Sequence, residues 1–238
     1  MCTTLRSTLL RRLALLLPAL CPLAIGLPQA HAQQASLNDP PPQNPILRIE
    51  PSMHTAGIRR IGVDKACTVL ATGSHDKTIK LWGIPPSTAK EDTPFTLLRT
   101  LRPPLGDGDS GKIYAVAVSA DGKLVAGGGW NRSGGDHWAY IFEAQTGRPL
   151  GRVGRFANVI NHLAFSEDGR HLAITLGGGE GLRVWQTGTW KQVAVDKEYA
   201  GQRSLGATFD VRGNLYTVAY DGFVRRYAAN TFKLEAKQ

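Results

Sequence analysis

Residues 54–82 read HTAGIRRIGVDKACTVLATGSHDKTIKLW, and the fold of the chain turns on what this stretch does. The run IRRIGV sets apolar side chains at Ile58, Ile61 and Val63, a near alternation that suits a half-buried strand rather than a helix. KACT interrupts it as a turn. Two more apolar runs follow, VLATGS and TIKLW, separated by His75-Asp76-Lys77 and closed by an aromatic, Trp82. Three short strands joined by tight turns are expected.

The same pattern recurs three times. IYAVAVSADGKLVAGGGW, an insertion and DHWAYIF end at Phe142; VINHLAFSEDGRHLAITLGGGEGLRVW ends at Trp185; SLGATFDVRGNLYTVAYDGFVRRY ends at Tyr227. The closing aromatics are 60, 43 and 42 residues apart. A fourth strand per unit is available in FTLLRTL (95–101), RPLGRV (148–153), WKQVAV (190–195) and TFKLEA (231–236). A period near 42 with four strands per unit is the spacing of propeller blades. The expectation is an all-β fold, a β-propeller of four-stranded antiparallel blades. About four blades are present, in repeats near 54–101, 102–153, 154–195 and 196–238. One such blade cannot bury both faces alone, so neighbours must stack on it.

His54 through Trp82 closely resembles a repeat of the WD-repeat β-propeller family, in its bacterial, exported form. The resemblance implies that His54, Thr72, Asp76 and Trp82 form the family's buried tetrad. In it Asp76 accepts from His54, which is linked through Thr72 to the Trp82 indole. That role is structural. Asp136 and Asp221 stand six residues before Phe142 and Tyr227, as Asp76 does before Trp82. The third repeat has Gly179 in that slot, with Glu180 one position out of register, and none of these three repeats has a His in the expected place. Cys67 takes the turn position held by Gly122, Gly169 and Gly213, so an exposed turn residue is expected there. Blades of this family usually form rings of about seven. Four would cover little more than half the circle, which implies an open or partial ring with exposed end faces. The strand LRI (47–49) stands where such rings carry the odd strand that latches them shut. The chain is therefore expected to pair with itself, to need a partner, or to belong to a longer product.

The first 32 residues read as an export signal. Arg6, Arg11 and Arg12 precede an uncharged apolar run from Leu13 to Leu27, and Ala30-His31-Ala32 supplies the small residues of a cleavage site. The run falls short of the ~20 residues a spanning helix needs, and Pro18, Pro22 and Pro28 interrupt it. A lipoprotein reading of Cys21 is disfavoured by Leu20 before it, and the context of Arg11-Arg12 fits twin-arginine export poorly. Residues 33–45 form a polar, Pro-rich linker. The expected location is periplasmic or secreted, with no membrane association after cleavage. The mature chain keeps 25 Lys+Arg against 19 Asp+Glu, a net +6 that suits solubility and does not by itself indicate nucleic-acid binding. It also keeps one cysteine, Cys67, so no internal disulfide can form and the fold must rest on packing.

Chemistry motifs are weak. GDGDSGK (106–112) matches the letters of a phosphate-binding loop and of a dinucleotide site, but the strand-like IYAVAVSA follows where a helix N-terminus is needed. Ile113 replaces the magnesium-binding hydroxyl, and Asp107 and Asp109 would repel phosphate. GDSG alone does not make a serine protease. Asp107 and Asp109 open a calcium-like loop that Gly111 and the lack of a closing Glu leave incomplete. His54, His75, His137, His162 and His171 are scattered, so neither a metal site nor a cofactor is expected. Asn131-Arg132-Ser133 is a glycosylation sequon by letter. In the family's geometry, two enlarged loops of the second repeat, Pro103–Lys112 and Trp130–Asp136, share one face. They bring Asp107, Asp109, Trp130, Asn131, Arg132 and His137 towards one patch, the candidate binding face. Arg59-Arg60 and Arg225-Arg226 read as solvated or rim charges.

The expected function is an exported protein–protein interaction scaffold with no catalysis of its own. The alternatives are a sensor or regulatory blade module of a larger protein with a protease-like effector, as blades of this look occur, and a hydrolase using the propeller funnel. If the leader reading is right, N-terminal sequencing of the exported protein returns Gln33 as the first residue; intact Met1 on soluble cytoplasmic protein would contradict it.

Overall fold

The computed structural model describes residues 51–133 and 135–238. The leader, the linker and the strand expected at 47–49 lie outside the described residues. Every repeat of the sequence becomes one antiparallel sheet whose strands pair in chain order, apart from one strand added to the second. The first sheet is β1 (Ile58–Val63), β2 (Val69–Ser74), β3 (Ile79–Gly83) and β4 (Thr96–Leu101). The second is β5 (Lys112–Val118), β6 (Leu124–Trp130), β7 (Arg132–Ser133), β8 (Asp136–Glu143) and β9 (Pro149–Phe156), with β7 a short addition that pairs with β8. The third is β10 (Ile160–Phe165), β11 (His171–Leu176), β12 (Leu182–Gln186) and β13 (Lys191–Asp196), and the fourth β14 (Ser204–Phe209), β15 (Leu215–Ala219), β16 (Val224–Tyr227) and β17 (Leu234–Lys237). The described residues contain no helix. Four blades form an arc whose ring is not closed, a partial β-propeller.

The last expected strand, 231–236, starts later than its letters suggest. Asn230 and Phe232 adopt positive φ, and the Phe232 ring turns into the core, edge-on to His171 at 4.9 Å. The turn therefore runs on, and β17 begins at Leu234.

The apolar cores lie between blades. One unites Ala71, Ile79 and Leu81 of the first blade with Ile113, Val116, Val118 and Phe142 of the second. Another joins Ala115, Ala126 and Ile141 of the second to Leu163, Ile174 and Trp185 of the third. A third joins Leu182 and Val184 to Ala207, Leu215 and Tyr227. At each junction a blade offers the face carrying its closing aromatic to the face of the preceding blade that points the other way. The middle blades are accordingly buried on both sides, so β8, β11 and β12 are almost continuously buried. At the ends of the arc the alternation survives: β16 is exposed at Val224 and Arg226 but buried at Arg225 and Tyr227. Ile58, Ile61 and Val63 of β1, the alternating run that signalled a half-buried strand, are exposed.

Close approach explains the run Gly127-Gly128-Gly129: isoleucine side chains of the adjoining blades press on the first two, and the backbone of β5 on the third. A Cβ on Gly127 would sit 2.1 Å from Ile79 Cδ1 of the first blade, and one on Gly129 would sit 2.3 Å from the Lys112 carbonyl. Each blade also turns from its first to its second strand around a side-chain acceptor. Asp64 accepts from the Thr68 and Val69 amides, Asp121 and Asp168 accept from Ser119 and Ser166, and Asp210 accepts from the Arg212 and Asn214 amides. Such Asx turns favour a left-handed residue. Gly122, Gly169 and Gly213 provide it in three blades, and in the first Cys67 adopts φ 54 and is exposed.

Two outcomes follow. Left-handed backbone costs a residue with a Cβ roughly 1–2 kcal/mol, part of which Gly gives back as entropy. Cys67→Gly is therefore expected to raise the urea midpoint slightly, by on the order of 0.5–1 kcal/mol in stability. The second concerns the junction of blades three and four, where the Ala207 amide donates to His162 Nδ1 at 3.2 Å. Burial, with the nearby Arg60 cation, holds His162 down to about 4 from 6.5. The folded protein keeps the imidazole neutral while the unfolded chain protonates it. This contribution is thus fully present above about pH 6.5 and is lost as pH falls towards 4. A denaturation series between pH 7 and 4 should show a steeper loss for the wild type than for His162→Gln.

Candidate functional site

Blade one links His54, Thr72, Asp76 and Trp82 in one relay. His54 arrives from the segment before β1 and donates through Nδ1 to Asp76 Oδ2 at 2.7 Å. Thr72 Oγ1 lies 2.7 Å from His54 Nε2 and accepts from Trp82 Nε1 at 2.8 Å. Asp76 also accepts from the Thr55 amide at 3.0 Å and, through its other oxygen, from the Thr78 hydroxyl at 2.7 Å. Burial works to raise the Asp76 pKa, but the hydrogen bonds from Thr78, His54 and Thr55 outweigh it and hold the carboxyl below its usual value. The relay ties the entering segment, β2, β3 and the turn between those two strands into one body. It has no exposed reactive atom: the His54 and Asp76 side chains are almost wholly covered.

The other blades keep the place and change the chemistry. In blade four, Tyr199, Thr217, Asp221 and Tyr227 stand at the same mutual spacings as His54, Thr72, Asp76 and Trp82. Tyr199 Oη lies 2.8 Å from Thr217 Oγ1 and from Tyr227 Oη, and the Tyr227 hydroxyl donates to Asp196 at 2.6 Å. Burial pushes both phenols up from their usual values. Asp221 turns to Arg225, whose guanidinium is fully buried, pairs with both carboxylate oxygens and stacks 4.0 Å over the Tyr199 ring. The expectation of a rim charge at Arg225 is therefore corrected: with an Asp four residues earlier and an aromatic beneath it, a cation can be buried. Lys80 and Arg183 occupy the same strand position in blades one and three and are buried too. Arg183 pairs with Glu180, the acid one place out of register. In blade three Ile174 replaces the threonine, and Trp185 Nε1 finds no acceptor among the described residues. Asp136 takes a different part from Asp76, pairing at the start of β8 with Arg155 at 3.2 Å.

The enlarged loops of blade two meet through the backbone. The Gly111 amide donates to the Trp130 carbonyl at 2.9 Å, and Lys77 Nζ donates to the Gly106 carbonyl, tying the Pro103–Lys112 loop to blade one. Asp107 and Asp109 are exposed at its tip. Lys112 reaches Asp109 at 2.6 Å and holds its carboxyl below the usual range. The glycine-rich segment continues directly into β5, so no helix N-terminus faces it. Trp130 is partly exposed and packs edge-on against His137 at 5.4 Å. Asn131 and His137 themselves are buried, 2% and 3% exposed, because the added strand β7 folds the connection back onto β8. Neither side-chain atom of Asn131 has a partner among the described residues. Arg132 is placed by its backbone, opposite His137. The surface that remains is Trp130 beside the acidic loop tip; Asn131 and His137 support it from beneath. Among the described residues no three His, Cys, Asp or Glu side chains gather in a metal-binding group.

The model of the WD40 family (WD domain, G-beta repeat) matches residues 47–83 and 95–134, which take in strands of the first two blades. No curated protein matches the chain.

The burial of these networks ranks their removal. Asp221→Ala leaves a buried guanidinium unpaired and is expected to cost about 3–5 kcal/mol. Asp76→Ala strands the donors of His54, Thr55 and Thr78 and is expected to cost about 1–3 kcal/mol. Asp107→Ala, at an exposed loop tip, should stay within about 0.5 kcal/mol of wild type. Urea unfolding of the three variants measures the order, and equal midpoints would refute it.

Proposed function

We propose that this chain, a WD40-repeat protein built as a partial β-propeller, is a protein-interaction scaffold that is exported from the cytoplasm and has no catalysis of its own. WD40 repeats and propeller blades make a scaffold kind of fold, a rigid body that displays loops. The observation that carries the finer reading is the use made of the ionisable groups. Asp76, Asp221 and Glu180 are each spent on a bond that holds a blade together. What is left at the surface lies on the enlarged loops of blade two: an aromatic anchor, Trp130, and on the neighbouring loop Asp107 and Asp109, the latter paired with Lys112. A partly exposed Trp on a rigid support is a favoured binding anchor, and flanking carboxylates favour a basic partner surface. Export rests on the sequence alone: the order of charged, apolar and small-residue segments in residues 1–32.

The test is cross-linking in the native compartment followed by mass spectrometry. A defined protein cross-linked through the blade-two loops is the expected result. Trp130→Ala should reduce its capture at least tenfold while leaving the melting temperature within a few degrees. Capture that ignores Trp130, or a hydrolytic activity abolished by mutating one acid, would overturn the reading.

A further inference from the structure

The two ends of the arc are the two kinds of face that every internal junction brings together. We propose that they join between two copies of this chain, closing a two-fold ring of eight blades. The inference rests on the scaffold reading and names one partner for it, a second copy.

Contacts inside the chain define the joint. In three blades the inner strand bears an isoleucine just before its β-bulge: Ile58, Ile113 and Ile160. A Cβ built on Gly73 of blade one would lie 2.6 Å from Ile113 Cγ2 and 3.5 Å from Val116 Cβ of blade two. Gly128 of blade two meets Ile160 of blade three in the same way, and Ile79 reaches over Gly127. Strand register converts these positions to the free ends. Ile113, Val116 and Gly127 correspond to Ile58, Ile61 and Thr72, on the face of blade one that no described blade covers. Gly73 and Ile79 correspond to Val218 and Val224, on the outer face of blade four. Ile58, Ile61, Val218 and Val224 are all exposed, with Ile61 at 64% and Val218 at 43%.

The side chains at the free ends differ from the internal ones in compensating ways. Val224 lacks the terminal carbon with which Ile79 fills the space over Gly127, and this leaves room for Thr72. Val218 is bulkier than Gly73 and Gly128, so Ile58 must turn aside to admit it. Its exposed position ahead of the bulge allows that. Each end needs a matching face of the other kind, and this chain carries both already. Two arcs of four blades make eight, within the four to eight of closed propellers. A heterologous contact repeated about a two-fold axis closes and leaves neither apolar face in water.

Light scattering on the full chain should give twice the mass of one chain. Ile61→Asp and Val218→Asp, at exposed positions, should each halve that mass while circular dichroism shows an unchanged fold. A cross-link then tests the joint itself, in a background of Cys2→Ser, Cys21→Ser and Cys67→Gly. The Cβ separation equivalent to Gly73–Val116 suits a disulfide. Ile61→Cys mixed with Val218→Cys should therefore yield linked dimers on oxidation, and neither variant alone should. A one-chain mass, as would result if residues 1–50 or nothing covers the faces, overturns the proposal. So does linkage of Ile61→Cys to itself, which means like faces meet, or a ladder beyond the dimer, which means the ring does not close. Loss of the dimer with Trp130-dependent capture intact would fail this inference and leave the scaffold reading standing; the reverse would fail that reading alone.

Discussion

Everything in this structure depends on the burial of one sheet face against the next. A four-stranded blade has two faces, and burying both takes two neighbours. The chain supplies that for its second and third blades, where both sides of β8, β11 and β12 are covered. Among the described residues, only one face of the first blade and one of the fourth has a neighbour. Apolar burial at roughly 25 cal/mol per Å² is the main favourable term in such a fold. The three cores between blades therefore carry the stability, and the individual sheets carry little by themselves.

Within that frame the polar networks act as locks, each solving the same problem differently. A closing aromatic with a polar edge needs an acceptor once buried. Blade one meets the need with Thr72 and passes the chain of donors on to Asp76 through His54. Blade four ends in a phenol in place of an indole. There Tyr199 bridges Thr217 and Tyr227, and Asp221 is released to neutralise Arg225. Blade two closes with Phe142, which has no polar edge, and Gly127 takes the place of the threonine so that Ile79 can fill the gap. Blade three keeps the indole of Trp185 but sets Ile174 beside it, leaving the N–H without a partner among the described residues. The networks are thus adjuncts to packing, since the second and third blades stand without a complete one.

The second blade shows how the same sheet can be turned to display. Its added strand β7 lengthens one connection and buries Asn131 and His137, and their burial fixes Trp130 at the surface. The neighbouring loop is tied down by the Gly111–Trp130 backbone bond and by Lys77 from blade one. A loop held at both ends and in the middle presents its tip with little ordering cost, which is what binding rewards.

The amino-acid sequence alone determined the blades. Alternating runs, Asx-type turns and closing aromatics are local signals, and strand existence, order and pairing follow from them because consecutive strands pair with their neighbours. The His54–Thr72–Asp76–Trp82 spacing was equally legible, and the same spacing runs from Tyr199 to Tyr227, hidden by a tyrosine where the pattern has histidine. Burial was not legible. Arg225 and Lys80 look like surface charges because strand alternation says which residues share a face without saying whether another blade lies on it. For the same reason Ile61 and Val63 read as half-buried core and proved exposed, and Asn131 and His137 read as a binding surface and proved interior. Alternation is a property of one strand and its side chains. Coverage is a property of two blades in contact, and only the tertiary arrangement decides it.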